Sequence, residues 1–438
     1  MTRPDSAPGN PATTPLQPTR TRYWVVVFAV TLAVITYVDR VCISKAAPLM
    51  QNDLGLTKEQ MGYAFSAFAW AYALFEIPGG WLGDIIGPRK VLLRVVIMWS
   101  IFTAATGRTW NLVSLVVSRF LFGAGEAGCF PNITKAFTLW LPLAERVRAQ
   151  GIVWLSARWG GAFTPLLMMW MLSVMSWRRV FLLFGGLGVV WAIFFFRWFR
   201  DKPREHPGVN AAELELLREA EQNAAAHGPV PWEKFIASRT VWLLWAQYGF
   251  LSFSWYFYIT WMPTYLKETF PGQSETHLTL LNCLPLFFGG VGSLFSGLVS
   301  SVLARRLGSV ARARRWSGFV GMTGAAIMLL VAIHFKHPLL VVLSVGLASF
   351  CNDLSIPGAW GACMDVGGRF AGSLSGSMNM MGNVGSALSP LVVPIVLKAA
   401  HGDWNANLWM FAGVYLLGAL CWLFLDPVTP LEEQVKNP

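Results

Sequence analysis

The chain has 438 residues, of which 55% are hydrophobic and 13% charged. Soluble domains carry about 25% charged residues, so a water-soluble globule is excluded. The formal net charge of +11 invites a nucleic-acid reading, but the basic residues sit in short segments between apolar blocks, which is how membrane topology is written.

Residues 1–21, rich in Pro and Thr, read as a disordered cytoplasmic tail. About twelve apolar blocks follow, most of them ~20 residues or longer, the length that crosses a ~30 Å hydrocarbon core. Their approximate spans are 24–47, 59–83, 90–108, 111–137, 147–172, 177–199, 239–266, 277–303, 316–335, 338–363, 370–398 and 404–425. The first block contains Asp39 and Arg40 and lacks a cleavage signal, so it reads as a retained helix. The blocks are too long for barrel strands, and lipid admits only helices or closed barrels. The expectation is an all-α membrane protein of twelve transmembrane helices.

The longest interruption, from Arg200 to Arg239, holds Pro203, Pro207, Pro229 and Pro231. Between them Ala211 to Ala226, rich in Ala, Leu and Glu, reads as a solvent-exposed helix. It divides the chain into a six-helix bundle over 22–199, a linker over 200–238, a second bundle over 239–426 and a tail over 427–438. The halves echo one another. Ala157 to Pro165 in the fifth block stands against Gly382 to Pro390 in the eleventh, both reading small-polar-x-Gly-small-Ala-x-hydroxyl-Pro. Gly80 and Gly83 before a basic loop stand against Gly297 before Arg305-Arg306. Such pseudo-symmetric halves, with a ligand site between them, are the architecture of many secondary transporters. Arg89-Lys90, Arg146/Arg148, Arg200-Lys202-Arg204 and the Arg305–Arg315 cluster fall on one side, which places both termini in the cytoplasm and makes anionic lipid a partner.

Two acid–base groupings interrupt the apolar blocks. Asp39-Arg40 lies in the first, and Arg119 with Glu126 in the fourth. A charge at the bilayer centre costs roughly 3 kcal/mol on insertion scales, so such residues mark an ion path or ligand site. Arg40 can grip a carboxylate with two parallel hydrogen bonds. Tyr37, one turn earlier, adds a hydroxyl, and Tyr72 on the second helix can face the same space. Asp39 and Glu126 are the candidate proton carriers. Arg119, two turns from Glu126, is placed to pair with Asp39 or Glu126 when either is ionised. The bland alternatives are a static buried ion pair and tyrosines that merely pack.

The loop after the second block reads Gly80-Trp-Leu-Gly-Asp84-Ile-Ile-Gly87-Pro-Arg89-Lys90. It resembles the GxxxDxxGxRK signature of the major facilitator superfamily. Asp84 can cap a neighbouring helix or pair with a loop Arg, so Gly80, Asp84, Gly87 and Arg89 are expected to form a conformational latch. Tyr37-Val-Asp39-Arg40, Tyr72-Ala-Leu-Phe-Glu76-Ile-Pro78-Gly79-Gly80, Arg119-Phe-Leu-Phe-Gly123-Ala-Gly125-Glu126 and Met378-Asn379-Met-Met-Gly382-Asn383 resemble the anion:cation symporter family. That resemblance implies proton-coupled uptake of an organic carboxylate, a sugar acid such as galactonate, glucarate or a hexuronate leading. It puts Tyr37, Arg40 and Tyr72 in the binding pocket and implies a bacterial inner-membrane protein.

Two residues depart from the family pattern. Arg158 stands mid-span in the fifth block, where a neutral polar residue is usual. It either contacts a second anionic or hydroxyl-rich end of the substrate or is an ion-paired structural residue. Glu76 stands where Gln is common, and pairing with the nearby basic loop is the favoured reading. In the second half, Asn379 and Asn383 share a helix face and suit sugar hydroxyls. Asn352-Asp353 and Trp255-Tyr256-Phe257-Tyr258 lie in its tenth and seventh blocks.

No nucleophilic triad, metal-ligand cluster or cofactor motif is legible, so an enzyme is not expected, and the proton is the expected coupling ion. Nucleic acid is not a partner, and a monomer is expected. An organophosphate antiporter would use the same fold but wants Arg from both halves, and the second half has no mid-span Arg. An anion uniporter, a dicarboxylate or aromatic-acid carrier, and sodium coupling stay open.

Overall fold

The computed structural model describes Gln17–Arg218 and Val230–Leu431. The tail expected over 1–21 and the linker helix expected to reach Ala226 therefore lie partly outside the described residues, as does 432–438. Among the described residues seventeen α-helices follow in chain order. They are α1 Arg22–Leu54, α2 Lys58–Ile86, α3 Pro88–Thr106, α4 Leu112–Glu126, α5 Cys129–Trp140, α6 Leu143–Val174, α7 Trp177–Trp198, α8 Ala211–Leu216 and α9 Trp232–Ala237. The second half continues with α10 Arg239–Thr260, α11 Met262–Thr269, α12 Glu275–Leu307, α13 Val310–Ala332, α14 Pro338–Asp353, α15 Ile356–Gly367, α16 Ala371–Ala399 and α17 Asn405–Phe424.

The twelve expected spans are present, three of them broken. The fourth divides into α4 and α5, the seventh into α10 and α11, and the tenth into α14 and α15. The break in the fourth is at Gly128, whose φ of 84° is the left-handed region that glycine enters without steric cost. A Cβ there would also lie 2.6 Å from the Cα of Gly79 on α2. Asn132 clasps the break, donating to the carbonyls of Gly79 at 2.9 Å and Gly128 at 2.7 Å. Helix starts are set locally as well. Thr57 and Gln60 cap α2 reciprocally, and Asn111 with Ser114 caps α4.

Seven helical stretches are long and apolar enough to cross a membrane, one of which, Pro338–Ala399, contains two successive spans. The helices α2, α3, α6 and α10 fall short of that measure because glycine, aromatic, hydroxyl or charged residues dilute them, yet they run alongside the others. Packing repeats at an offset of six spans. The pairs α1·α6, α2·α4 and α3·α7 in the first half recur as α10·α16, α12·α14 and α13·α17 in the second. Two mirror-related contacts join the halves, α2 with α16 and α6 with α12. Each is a close approach of small residues. A Cβ on Gly80 would lie 2.2 Å from the carbonyl oxygen of Gly372, and one on Gly151 would lie 2.9 Å from the Cα of Gly297.

The linker is not simply solvated. Glu213 on α8 is fully buried. It accepts from the backbone N–H groups of Thr21 and Arg22 and from the Arg22 guanidinium at 3.1 Å, which also reaches Glu145 at 3.0 Å. Glu213 thus serves the exposed N-terminus of α1, where Thr21 provides no side-chain cap.

Candidate substrate and proton site

Arg40 on α1 and Glu126, the last residue of α4, form an ion pair through Arg40 Nε. Glu126 is fully buried, whereas Arg40 keeps a 21% exposed side chain. Arg40 lies over Tyr72, with Cζ 4.3 Å from the ring centroid, and Tyr37, Phe68 and Phe130 lie within 6 Å. Its Nη2 and the second oxygen of Glu126 are buried without a hydrogen-bond partner. The guanidinium therefore offers a donor edge inside an aromatic box, beside a carboxylate with a free lone pair.

Asp39 precedes Arg40 on α1. It is 1% exposed and neither carboxylate oxygen has a hydrogen-bond partner. Arg119 and Glu126 are its charged neighbours. The expected pairing of Arg119 does not occur. Among the described residues Arg119 bridges neither Asp39 nor Glu126, and its guanidinium lies over Phe122 at 4.4 Å and Phe68 at 5.0 Å. Arg40, arriving from α1, takes Glu126, one of the two carboxylates open to Arg119.

Across the inter-half seam, Asn379 on α16 donates to Glu76 on α2 at 2.7 Å and reaches the Tyr72 hydroxyl at 3.5 Å. This corrects the expectation for Glu76, which is fully buried at the seam, away from the basic loop. Asn383 stays on its own helix, donating to the Asn379 carbonyl at 3.0 Å. Arg158 on α6 holds Asp353 on α14 through Nε at 2.9 Å and Nη2 at 3.3 Å. Of the two readings open for Arg158, the structure has the ion pair, and it joins the two halves. Trp255 on α10 lies 3.9 Å from its Cζ.

The latch residues sit at the end of the bundle that carries the basic loops. Asp84 accepts from the backbone N–H of Gly372 at 3.1 Å and Ser373 at 2.6 Å, capping α16 in the opposite half. Its ion-pair partner is Lys135 of α5, at 3.2 Å, and not a loop Arg. Lys135 also donates to the Arg369 carbonyl. Gly80 permits the approach of α16 described above, and Gly87 joins α2 to α3 at a φ of 85°. Arg89 turns away from the seam to the Phe196 carbonyl, and its backbone N–H donates to Asp201. Burial pushes the Asp201 carboxyl above its ordinary range, opposed by that N–H.

A mirror cluster was not anticipated. Asp365, near the end of α15, binds Arg146 of α6 at 3.0 Å and Arg314 of α13 at 2.5 Å. Its sequence signal was an acid at the end of an apolar block, the position Lys135 holds in the first half. Every hydrogen bond and ion pair described between the halves falls on the stretch from the basic end to Trp159, whose indole donates to the Phe287 carbonyl at 3.4 Å. No group of three or more His, Cys, Asp or Glu among the described residues is arranged to hold a metal ion.

Twelve spans in two mirror-related halves, with buried charges at their seam, are the architecture of many membrane transporters. The family model described as Major Facilitator Superfamily matches residues 29–390, and the chain belongs to that superfamily. It is 34% identical over 416 residues to a protein described as a probable sulfoacetate transporter of Cupriavidus necator, covering 94% of this chain and 96% of that one. It is 31% identical over 421 residues to a D-galactonate transporter of Escherichia coli, covering 93% and 96%. A probable galactarate/D-glucarate transporter of Escherichia coli is 31% identical over 429 residues, covering 93% and 94%. In fold, the chain matches the proton:xylose symporter XylE at a TM-score of 0.76 and 13% identity, covering 95% and 99% of the two chains. The protein is a multi-pass membrane transporter, and its family is one of transporters and not enzymes.

Proposed function

We propose that this protein carries an organic carboxylate into the cytoplasm together with protons. The observation that carries the reading is the Arg40–Glu126 pair, in which a partly exposed guanidinium with a free donor edge is held by a fully buried carboxylate. Protonation of Glu126 ends its hold on Arg40, and Arg40 then takes the substrate carboxylate bidentately. Asp39, buried and unpartnered beside Arg119, is the second proton carrier. Tyr37 and Tyr72 wall the site, and Asn379 presents an amide to substrate hydroxyls from the opposite half. Deprotonation toward the cytoplasm restores the Arg40–Glu126 pair and expels the anion.

The basic end is assigned to the cytoplasm of a bacterial inner membrane, with both termini there. All the inter-half polar locks gather toward that end, so this conformation reads as outward-facing. The carrier works as a monomer, with the proton as coupling ion and no cofactor. Sugar acids lead as substrates. A short sulfonated carboxylate is the second reading, favoured by Arg158, which puts a second cation at the seam.

A panel of carboxylates tested by thermal shift on purified protein, at two pH values, examines the reading. Wild-type protein is expected to be stabilised by at least one organic acid, more at the lower pH, and Arg40→Ala to lose that stabilisation. A ligand response unaltered in Arg40→Ala refutes the site.

A further inference from the structure

We infer that the Arg158–Asp353 pair is a second anion subsite that selects substrates bearing two acidic groups, with Asp353 as the internal counter-ion that the second group displaces. The inference rests on the organic-anion reading above and sharpens it.

The two guanidiniums of the seam are built alike. Arg40 gives Nε to Glu126, and Arg158 gives Nε and Nη2 to Asp353. Among the described residues neither donates a protein hydrogen bond from Nη1. Both lie on aromatic faces, and one strip of rings runs between them. The Phe130 centroid is 5.9 Å from Arg40 Cζ, Phe130 stacks on Trp154 at 4.9 Å, and Arg158 Cζ lies 5.6 Å from Trp154. An elongated ligand lying along this strip meets a cation at each end.

Arg158 and Asp353 are 3% and 0% exposed in their side chains. They belong to opposite halves, so their bond must be broken wherever the seam parts. Two buried charges left unpaired are costly. A second acidic group on Arg158 replaces the anion that the parting seam removes, while Asp353 keeps neutral donors of its own half. Asp353 is prepared for that exchange. Ser293 donates to it at 3.2 Å and Asn352 at 2.7 Å, and both contacts remain as the Arg is released.

The test is affinity of the purified full chain for matched probes, galactarate against galactonate and sulfoacetate against acetate. Wild-type protein is expected to prefer the two-acid member of each pair by about tenfold or more. Arg158→Gln is expected to lose affinity for galactarate about tenfold more than for galactonate. Arg158→Gln/Asp353→Asn leaves no unpaired buried charge, folds if the single variant does not, and is expected to lose the same preference. Equal affinity for both members of each pair, or equal losses in the variants, overturns the inference while leaving organic-anion transport intact. Failure of all four probes and the wider carboxylate panel to bind wild-type protein overturns both.

Discussion

Glu126 gives one oxygen to Arg40 and keeps the other without a partner, in a fully buried position at the break of the fourth span. That second oxygen is where the carboxylate can take a proton without first giving up a hydrogen bond.

Removing one member of this pair is therefore expected to destabilise the protein. Arg40→Ala leaves Glu126 buried without its cation, at a cost of about 3–5 kcal/mol if it stays ionised. Arg40→Ala/Glu126→Gln is expected to recover most of that loss, as a double-mutant cycle of chemical denaturation in detergent would record. Additive losses would show that the two side chains do not act as a pair.

Glu76 is expected to be less critical than Glu126. Gln at this position still presents a carbonyl oxygen to the Asn379 amide, so Glu76→Gln keeps the 2.7 Å seam contact. Transport by Glu76→Gln within about threefold of wild type is the expected result, since a retained neutral hydrogen bond changes stability by only about 1 kcal/mol. Loss of proton-driven uptake with retained exchange would instead add Glu76 to the proton carriers.

The Gly80–Gly372 approach sets the closed basic end. Gly80→Val places a branched side chain where a Cβ already lies 2.2 Å from a backbone carbonyl oxygen. This variant is expected to fold but to populate the form open at the basic end, read as increased thiol labelling of a cysteine introduced on that face. Asp84→Ala removes a helix cap, costing about 0.5–2 kcal/mol, together with the Lys135 ion pair, and shifts the population the same way. Unchanged labelling in both variants would remove these residues from the latch.

Asp365 joins Arg146 and Arg314 at the mirror position. Asp365→Asn leaves two buried cations without their anion, and is expected to lower thermal stability more than Asp84→Asn does. Paired melting curves decide the order.

The span count, the division into halves and the four charged residues of the first bundle were legible because charges within apolar blocks stand out and glycine and proline patterns repeat. Which charges meet was not legible. Arg119 and Arg40 both precede a carboxylate that either could reach, and nothing in the local pattern decides which of them Glu126 meets. Arg158 and Asp353 are far apart in sequence, and no local pattern links them. Glu76 lies near a basic loop along the chain, but its helix face turns it to Asn379. Glu213 looked like one of several exposed linker acids, and its burial follows from the unmet N–H groups at the start of α1.

On this reading a proton taken by Glu126 frees Arg40 for the substrate anion, so proton and anion enter together. Proteoliposomes with the membrane potential clamped and no pH gradient should show external alkalinisation when a bound organic acid is added, as protons enter with it. Glu126→Gln should abolish that signal while retaining exchange of labelled substrate for unlabelled. Alkalinisation by Glu126→Gln equal to wild type, or uptake by wild type that follows a sodium gradient with no proton flux, would contradict the account.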